Sequence, residues 1–372
     1  PSGDHRRRRE RLGEFLRGAE PAVHSAAGEA REEIRRLLGW DDASLHALVA
    51  ADLVVHTSPH ASMNAFDPMF AFPWVAATVA SSAAEPSRAA HLRTTVTHNN
   101  LGDLRWRPYA WWHRAGDGAL VKTSLFTRNA KLRHRVLLAC PAPELDLAGA
   151  AAIDREAVAL ARHARSYAGF CLVYRSFVER HAGLHGSHPP VEAPIELLNA
   201  FSLGHDGVER WAAALAELGA TFRTTDDSGR LVEVGEPAAV RPADVRARLL
   251  LCPNAANLAQ VQLLGISVMV GAERMSKYVP EMADDMARLT GRLGLAHQPP
   301  ELLGFTGIPI AEVLGHDART VERFAEDGLR GSLPVGAADI GPEVAANLDR
   351  LLDRDCGGFV RPASETNGAG PS

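Results

Sequence analysis

Short apolar runs alternate with amphipathic stretches over most of the chain. Residues 1–50 read as helical: Ala27, Ala30, Ile34 and Leu38 recur on one face, with charged residues on the other. The β-branched run 52–56 (DLVVH) predicts a strand, the apolar run 68–82 a buried helix, and 91–97 (HLRTTVT) a second strand. Strand, helix and strand in that order predict a βαβ unit of a parallel sheet. Runs at 120–126 and 135–140 predict an antiparallel extension, and 106–114 (WRPYAWWHR) packs as an edge strand.

Residues 141–183 carry a helical period through Ile153, Ala157, Leu160, Ala164 and Tyr167. The Pro- and His-rich stretch 185–194 (HGSHPPVEAP) reads as a loop and an internal boundary. Beyond it the pattern predicts a helix at 207–218 and strands at 221–224, 230–234 and 248–252. A helix from 253, a buried strand at 265–270 and a helix over 275–293 follow, with Pro280 at its first turn or at a kink. Weaker helices at 317–327 and 341–354 close the chain. The first eight residues and the tail from Arg361 are polar and expected to be mobile.

The fold expected is an interrupted α/β domain with a mostly parallel sheet. A helical segment (1–50) precedes the first half of the core (51–140). A helical insert and loop (141–200), the second half of the core (201–295), a helical C-terminal segment (296–360) and a flexible tail (361–372) follow.

Composition narrows the function classes. Across 372 residues, 46% are hydrophobic and 23% charged, enough for a real core and against wholesale disorder. A net charge of −5 disfavours a general nucleic-acid binder. The four cysteines, Cys140, Cys171, Cys252 and Cys356, stand far apart with no CxxC pair. This excludes a disulfide framework and a cysteine zinc site and predicts a cytoplasmic protein. The apolar run 68–84 is too short and too proline-rich to span a membrane, and Arg6–Arg9 lack the apolar core of a secretory signal.

Three segments carry candidate chemistry. The first strand ends in His56, and Ser58, Pro59 and His60 follow in a turn. The second strand ends in His98, Asn99 and Asn100, with Asp103 beyond. Parallel strands bring their carboxyl ends together, where open α/β sheets bind ligands. His56, His60, His98 and Asn99 are therefore expected to line one crevice and to bind phosphate or carboxylate. The third segment, 265–278, delivers Gly271 at a strand end, followed by Glu273, Arg274, Ser276 and Lys277 at a helix start. Glycine permits close backbone approach, Arg274 and Lys277 suit phosphate, and Glu273 suits an amine or acts as a base. Two other readings stay open. His56, His60 and His98 are also compatible with a metal site, although no H-E-x-x-H motif is present. Arg128, Lys131, Arg133 and Arg135 form a basic patch that suits RNA or an acidic partner. There is no Walker A, GxGxxG or GxSxG motif.

The ordered set of these pieces resembles the cysteine-adding enzyme family of bacillithiol biosynthesis, over roughly 50–105 and 205–295. His56-Thr57-Ser58-Pro59 stands where that family has an H-Q-P-G-like loop, and His98-Asn99-Asn100 where it has an H-D-F-like motif. Pro253-Asn254, the run GISVMVG, Gly271 and Glu273 follow its later signature. The chain also resembles class I aminoacyl-tRNA synthetases. Ser58-Pro59-His60-Ala61 matches an H-x-G-H loop, Gly271-Ala272-Glu273-Arg274 a G-x-D-Q helix start, and Met275-Ser276-Lys277 part of a K-M-S-K-S string. The glutamine and glycine of the first motif, the acidic residue of the second and the family's long coiled coil are absent. The resemblance implies a Rossmann-like, HUP-type core and an enzyme of the ligase or transferase class. Such an enzyme joins an activated amino acid, made with ATP and magnesium or supplied on tRNA, to a small-molecule acceptor. It further implies roles in catalysis for His56, His60, His98 and Glu273, and in cofactor binding for Ser58, Asn99, Gly271, Arg274 and Lys277.

Overall fold

A computed structural model describes residues 3–63, 85–103, 108–114, 120–126, 130–181, 187–235, 250–272, 279–295 and 301–305, with residues 76, 80, 83 and 185. Its centre is a five-stranded sheet of β1 (Leu53–Thr57), β2 (Ala89–Arg93), β5 (Pro190–Glu192), β8 (Val268–Ala272) and β9 (Glu301–Phe305). Every neighbouring pair is parallel, in the spatial order β5-β2-β1-β8-β9. Counted along the chain, the sheet strands lie in the order 3-2-1-4-5, a Rossmann-like topology. The direction of winding reverses beside β1, so the switch point lies between β1 and β8.

The two strands of the predicted βαβ start are present and parallel. β1 falls one residue beyond the expected 52–56, and β2 starts two residues before the expected 91 and ends at Arg93. The predicted helix at 68–82 lies outside the described residues except at Ala76 and Ala80, which are helical. β8 begins later than expected because Gly265 and Ile266 belong to the turn that closes the preceding helix, Gly265 with φ of 71°.

Two strands escaped the pattern. β5 arises inside the stretch read as a loop. It is three residues long and begins with a proline, which an edge strand tolerates. β9 lies in a segment expected to be helical. The expected strand at 135–140 is instead short 3₁₀ turns (Ala130–His134 and Leu137–Ala139), with one bridge between Val136 and Asn100. β3 (Ala110–Arg114) and β4 (Leu120–Ser124) pair as a separate antiparallel hairpin, as do β6 (Arg223–Thr225) and β7 (Leu231–Glu233).

The helices are α1 (Gly3–Val23), α2 (Gly28–Leu37), α3 (Asp42–Ala50), α4 (Ala152–Ala161), α5 (Tyr167–His181), α6 (Ile195–Asp206), α7 (Val208–Glu217), α8 (Asn254–Gln262) and α9 (Ala283–Arg292). α6 was not anticipated. The α9 segment starts later than the period suggested, because Met282 interrupts the helical turn at Val279–Glu281. Residues 3–8, expected to be mobile, belong to α1. Arg8 is buried there and makes a two-pronged bond to Asp206 of α6, at 2.7 and 2.6 Å. Such a pair holds a terminal helix in place, since an unpaired buried charge is costly. The predicted helices at 317–327 and 341–354 and the tail lie outside the described residues. Among the described residues, no helix is long and apolar enough to cross a membrane.

The edge at β5 is covered by the chain itself. α2 ends in a Schellman turn: Gly39 N–H donates to Arg36 O and Trp40 N–H to Arg35 O. This carries Leu38 and Trp40 alongside β5. The Glu192 amide donates to Leu38 O at 2.9 Å, and Trp40 Nε1 donates to Glu192 O at 2.7 Å. An otherwise open strand edge is thereby paired. Gly39 has φ of 66°, and a Cβ there would lie 2.9 Å from Val191 Cα and closer still to Pro190 O. Gly39→Ala therefore combines a left-handed backbone penalty with a backbone clash, and loses roughly 2–4 kcal/mol of stability. Urea unfolding of the two proteins measures it; an unchanged midpoint would exclude this account of the β5 edge.

Candidate functional site

Beyond the ends of β1 and β2 the two chains stay hydrogen-bonded. Thr94 N–H donates to Thr57 O, Val96 N–H to Pro59 O and Ala61 N–H to Val96 O, at 2.9, 2.8 and 2.9 Å. The predicted loops are thus held side by side on the carboxyl edge of the sheet. β5 continues in the same way, with Ala193 N–H donating to Arg93 O and Ile195 N–H to Thr95 O.

The predicted site residues separate into two groups. His56 is only 1% exposed and lies inside the sheet, out of reach of a ligand. Its Nε2 is 2.8 Å from Thr94 Oγ1, which donates onward to Ser58 Oγ, which in turn donates to Thr94 O. This chain of donors places the ring proton on Nε2. Burial pushes the His56 pKa down to about 3, so the ring is neutral. His91, one strand over, behaves alike: its Nε2 is 2.7 Å from Thr57 Oγ1, and burial, with His185 and Arg93 nearby, lowers it well below the ordinary value.

The second group stands on the carboxyl edge: Ser58, His60 and His98 are half-buried there and Asn99 is buried. His60 Nδ1 is 3.0 Å from Asn99 Oδ1. A carboxamide oxygen only accepts, so His60 Nδ1 carries the proton. That bond leaves Asn99 Nδ2 as a buried donor with no acceptor among the described residues. His98 is half-buried; burial, then the charges of His60 and Arg223, push it down to about 4. Its Nδ1 also lacks a partner among the described residues. Gly271 is buried in β8 and pairs with Gly304 of β9, two positions without side chains side by side near the switch point.

Glu273, Arg274, Ser276 and Lys277 lie outside the described residues, as does Arg128 of the basic patch. In that patch Arg133 is exposed and Arg135 half-buried, and their carbonyls accept from Gly102 and Leu101 just past the site. Among the described residues no three His, Cys, Asp or Glu side chains converge as a metal ion would require. His56, within the sheet, is not gathered with His60 and His98 into such a set. Cys140, Cys171 and Cys252 are buried free thiols, each pushed up by burial and inert as read.

Below this edge lies a buried charge network that sequence reading missed. Arg93, the last residue of β2, donates through Nε to Glu192 at 2.6 Å, through Nη1 to Glu179, and through Nη2 to Ser176 at 2.9 Å. Glu192 belongs to β5; Glu179 and Ser176 belong to α5. Burial alone would lower the Arg93 pKa, but the two carboxylates override it and raise it. Arg175 of α5 donates to His60 O at 3.0 Å and to Thr95 Oγ1 at 2.9 Å, so the same helix fixes the His60 loop. Glu196, in the first turn of α6, accepts from Thr97 Oγ1. Burial pushes its carboxyl up to about 7 against that hydrogen bond. The signal for these residues was charge inside otherwise apolar runs, as in AAHLRTT and LVYRSFVER.

Compared with known proteins, the chain matches no family model, no curated protein and no solved structure.

Arg93→Met would leave the buried Glu192 without its guanidinium and Glu179 with only Arg175 and His185, and cost about 3–5 kcal/mol, read as a fall in the urea midpoint. The neutral histidines set a pH dependence. Below the ordinary value of 6.5 the unfolded chain takes up a proton at position 56, whereas the native ring does not until about pH 3. Stability from this group is therefore present above 6.5 and is lost as pH falls. His56→Gln keeps a donor near Nε2 and removes the titration, so its stability relative to wild type rises by about 1–2 kcal/mol between pH ~7 and ~5. Parallel melts at both pH values test the sign.

Proposed function

We propose that the chain is an enzyme of the ligase or transferase class that joins an activated amino acid to a small-molecule acceptor on a HUP-type core. The observation that carries the reading is the parallel sheet whose strand order reverses beside β1, with His60, His98 and Asn99 on the loops that follow β1 and β2 along the same carboxyl edge. Open α/β sheets hold ligands at such a reversal. The Asn99 Nδ2 donor, without an acceptor among the described residues, suits an anionic oxygen of a phosphate or carboxylate. When bound, ATP with magnesium supplies the adenylyl group that activates a carboxylate; a preformed aminoacyl-tRNA is the other source of activated donor.

The residues then divide the work. Asn99 donates to the anionic oxygen, and His60 holds the carboxamide in the orientation that frees that donor. His98, neutral above about pH 4, adds a donor without adding a charge that burial would penalise. Preorganised donors of this kind stabilise developing negative charge, usually the largest contribution to catalysis. Arg175 fixes the His60 carbonyl and acts by positioning. The Gly271–Gly304 pair leaves room for close approach of a ligand to the backbone. Arg274 and Lys277 are assigned to phosphate, and Glu273 to an amine, by the resemblance alone.

Thermal melts with MgATP, with non-hydrolysable aminoacyl-adenylate analogues and with aminoacyl-tRNA test the reading, since a ligand that binds only the folded state raises its stability. Asn99→Ala and His98→Ala are expected to weaken the response to MgATP or the analogues by about tenfold or more while the unliganded melt stays cooperative. A wild-type chain that responds to none of these ligands would refute the assignment.

A further inference from the structure

Four glutamates are buried among the described residues: Glu20, Glu179, Glu192 and Glu196. Three have guanidinium partners: Glu20 pairs with Arg31, and Glu179 and Glu192 pair with Arg93. Glu196 has none. Its neighbours are the Thr97 hydroxyl, which donates to it, its own backbone amide and the carboxylate of Glu192. A carboxylate taken out of water without a cation is costly, and a second carboxylate nearby adds to that cost.

The place of Glu196 is as specific as its lack of a counter-charge among the described residues. β5 runs parallel to β2, so the start of α6 stands on the carboxyl edge, with Ile195 N–H bonded to Thr95 O at 3.0 Å. Thr97, which holds the carboxyl, lies between Val96 and His98. Val96 is bridged to His60, and His98 stands in the proposed anion site. One short stretch of backbone therefore carries an anion-binding group and the tether of an unpaired acid. An α-amino acid carries the complementary pair, a carboxylate and an ammonium, a few ångströms apart.

We propose that Glu196 is an ammonium-binding residue that receives the α-amino group of an amino-acid substrate, with Thr97 holding its carboxylate in place. This rests on the amino-acid reading of the site and gives the α-amino group to Glu196 in place of Glu273, the residue that the family resemblance marks. The carboxyl titrates close to neutrality when empty, and an arriving ammonium draws it to the ionised form. Glu192 is already held by Arg93 and cannot substitute for it.

The test uses the full chain and thermal melts with the twenty L-amino acids and their N-acetyl derivatives, alone and with MgATP present. At least one free amino acid is expected to raise the melting temperature by about 2 °C or more, and its N-acetyl derivative to fail. Glu196→Gln is expected to weaken that amino acid on the order of tenfold or more, while the response to MgATP is unchanged. Glu196→Asp retains the charge and part of the response, and stands in should the glutamine variant not fold. If wild type responds to MgATP but prefers no free amine over its acetylated form, the ammonium site is wrong and the nucleotide reading stands. The same follows if Glu196→Gln binds the amino acid as tightly as wild type. A wild-type chain that responds to neither ligand overturns both.

Discussion

Arg93 holds the molecule together where the parallel sheet meets its helices. Its guanidinium is buried at the end of β2 and binds Glu192 of β5 and Glu179 of α5 at once. β5 has only three residues, too few to hold its register by ladder bonds alone. The ion pair to Glu192 and the Glu192 bond to the Thr95 amide supply what the short ladder lacks. A charge placed there is costly without all its partners, so the network favours one register and one docking of α5 over near alternatives.

The candidate site inherits that order. α5 is fixed by Glu179, and Arg175, one turn earlier, reaches up to the His60 carbonyl and the Thr95 hydroxyl. The loops after β1 and β2 remain paired because β2 is anchored from below. His60 then orients Asn99, and Thr97 meets Glu196. The upper surface is thus built from imidazoles, hydroxyls and carboxamides, resting on a layer where guanidinium and carboxylate charges balance. Burial keeps the His98 ring neutral, so it adds no charge to repel a cation and still offers a donor to an anion.

His56 shows how the same residue type is divided by depth. Its position at the end of a β-branched strand was readable, as were His60, His98 and Asn99 at the ends of the first two strands. Which of them reaches the surface was not. Side chains alternate along a strand, and the buried or open character of each side depends on what packs there. Thr94 and Ser58 take up His56, while Asn99 takes up His60. No spacing rule separates the two cases.

The sequence by itself determined the mixed α/β class, the parallel start at β1 and β2, the helices with a strong apolar face, and the location of candidate chemistry at strand ends. Those features rest on local preferences and on periodicity over a few residues. Tertiary structure alone decided that 190–192 and 301–305 join the sheet, that the strand order reverses beside β1, and that Arg93, Glu179 and Glu192 meet. It also left Glu196 as the buried glutamate without a cation among the described residues. These depend on partners 86 to 99 residues away along the chain in the Arg93 network. A strand of three residues or a buried charge is stable only through the groups that surround it, and local pattern does not contain them.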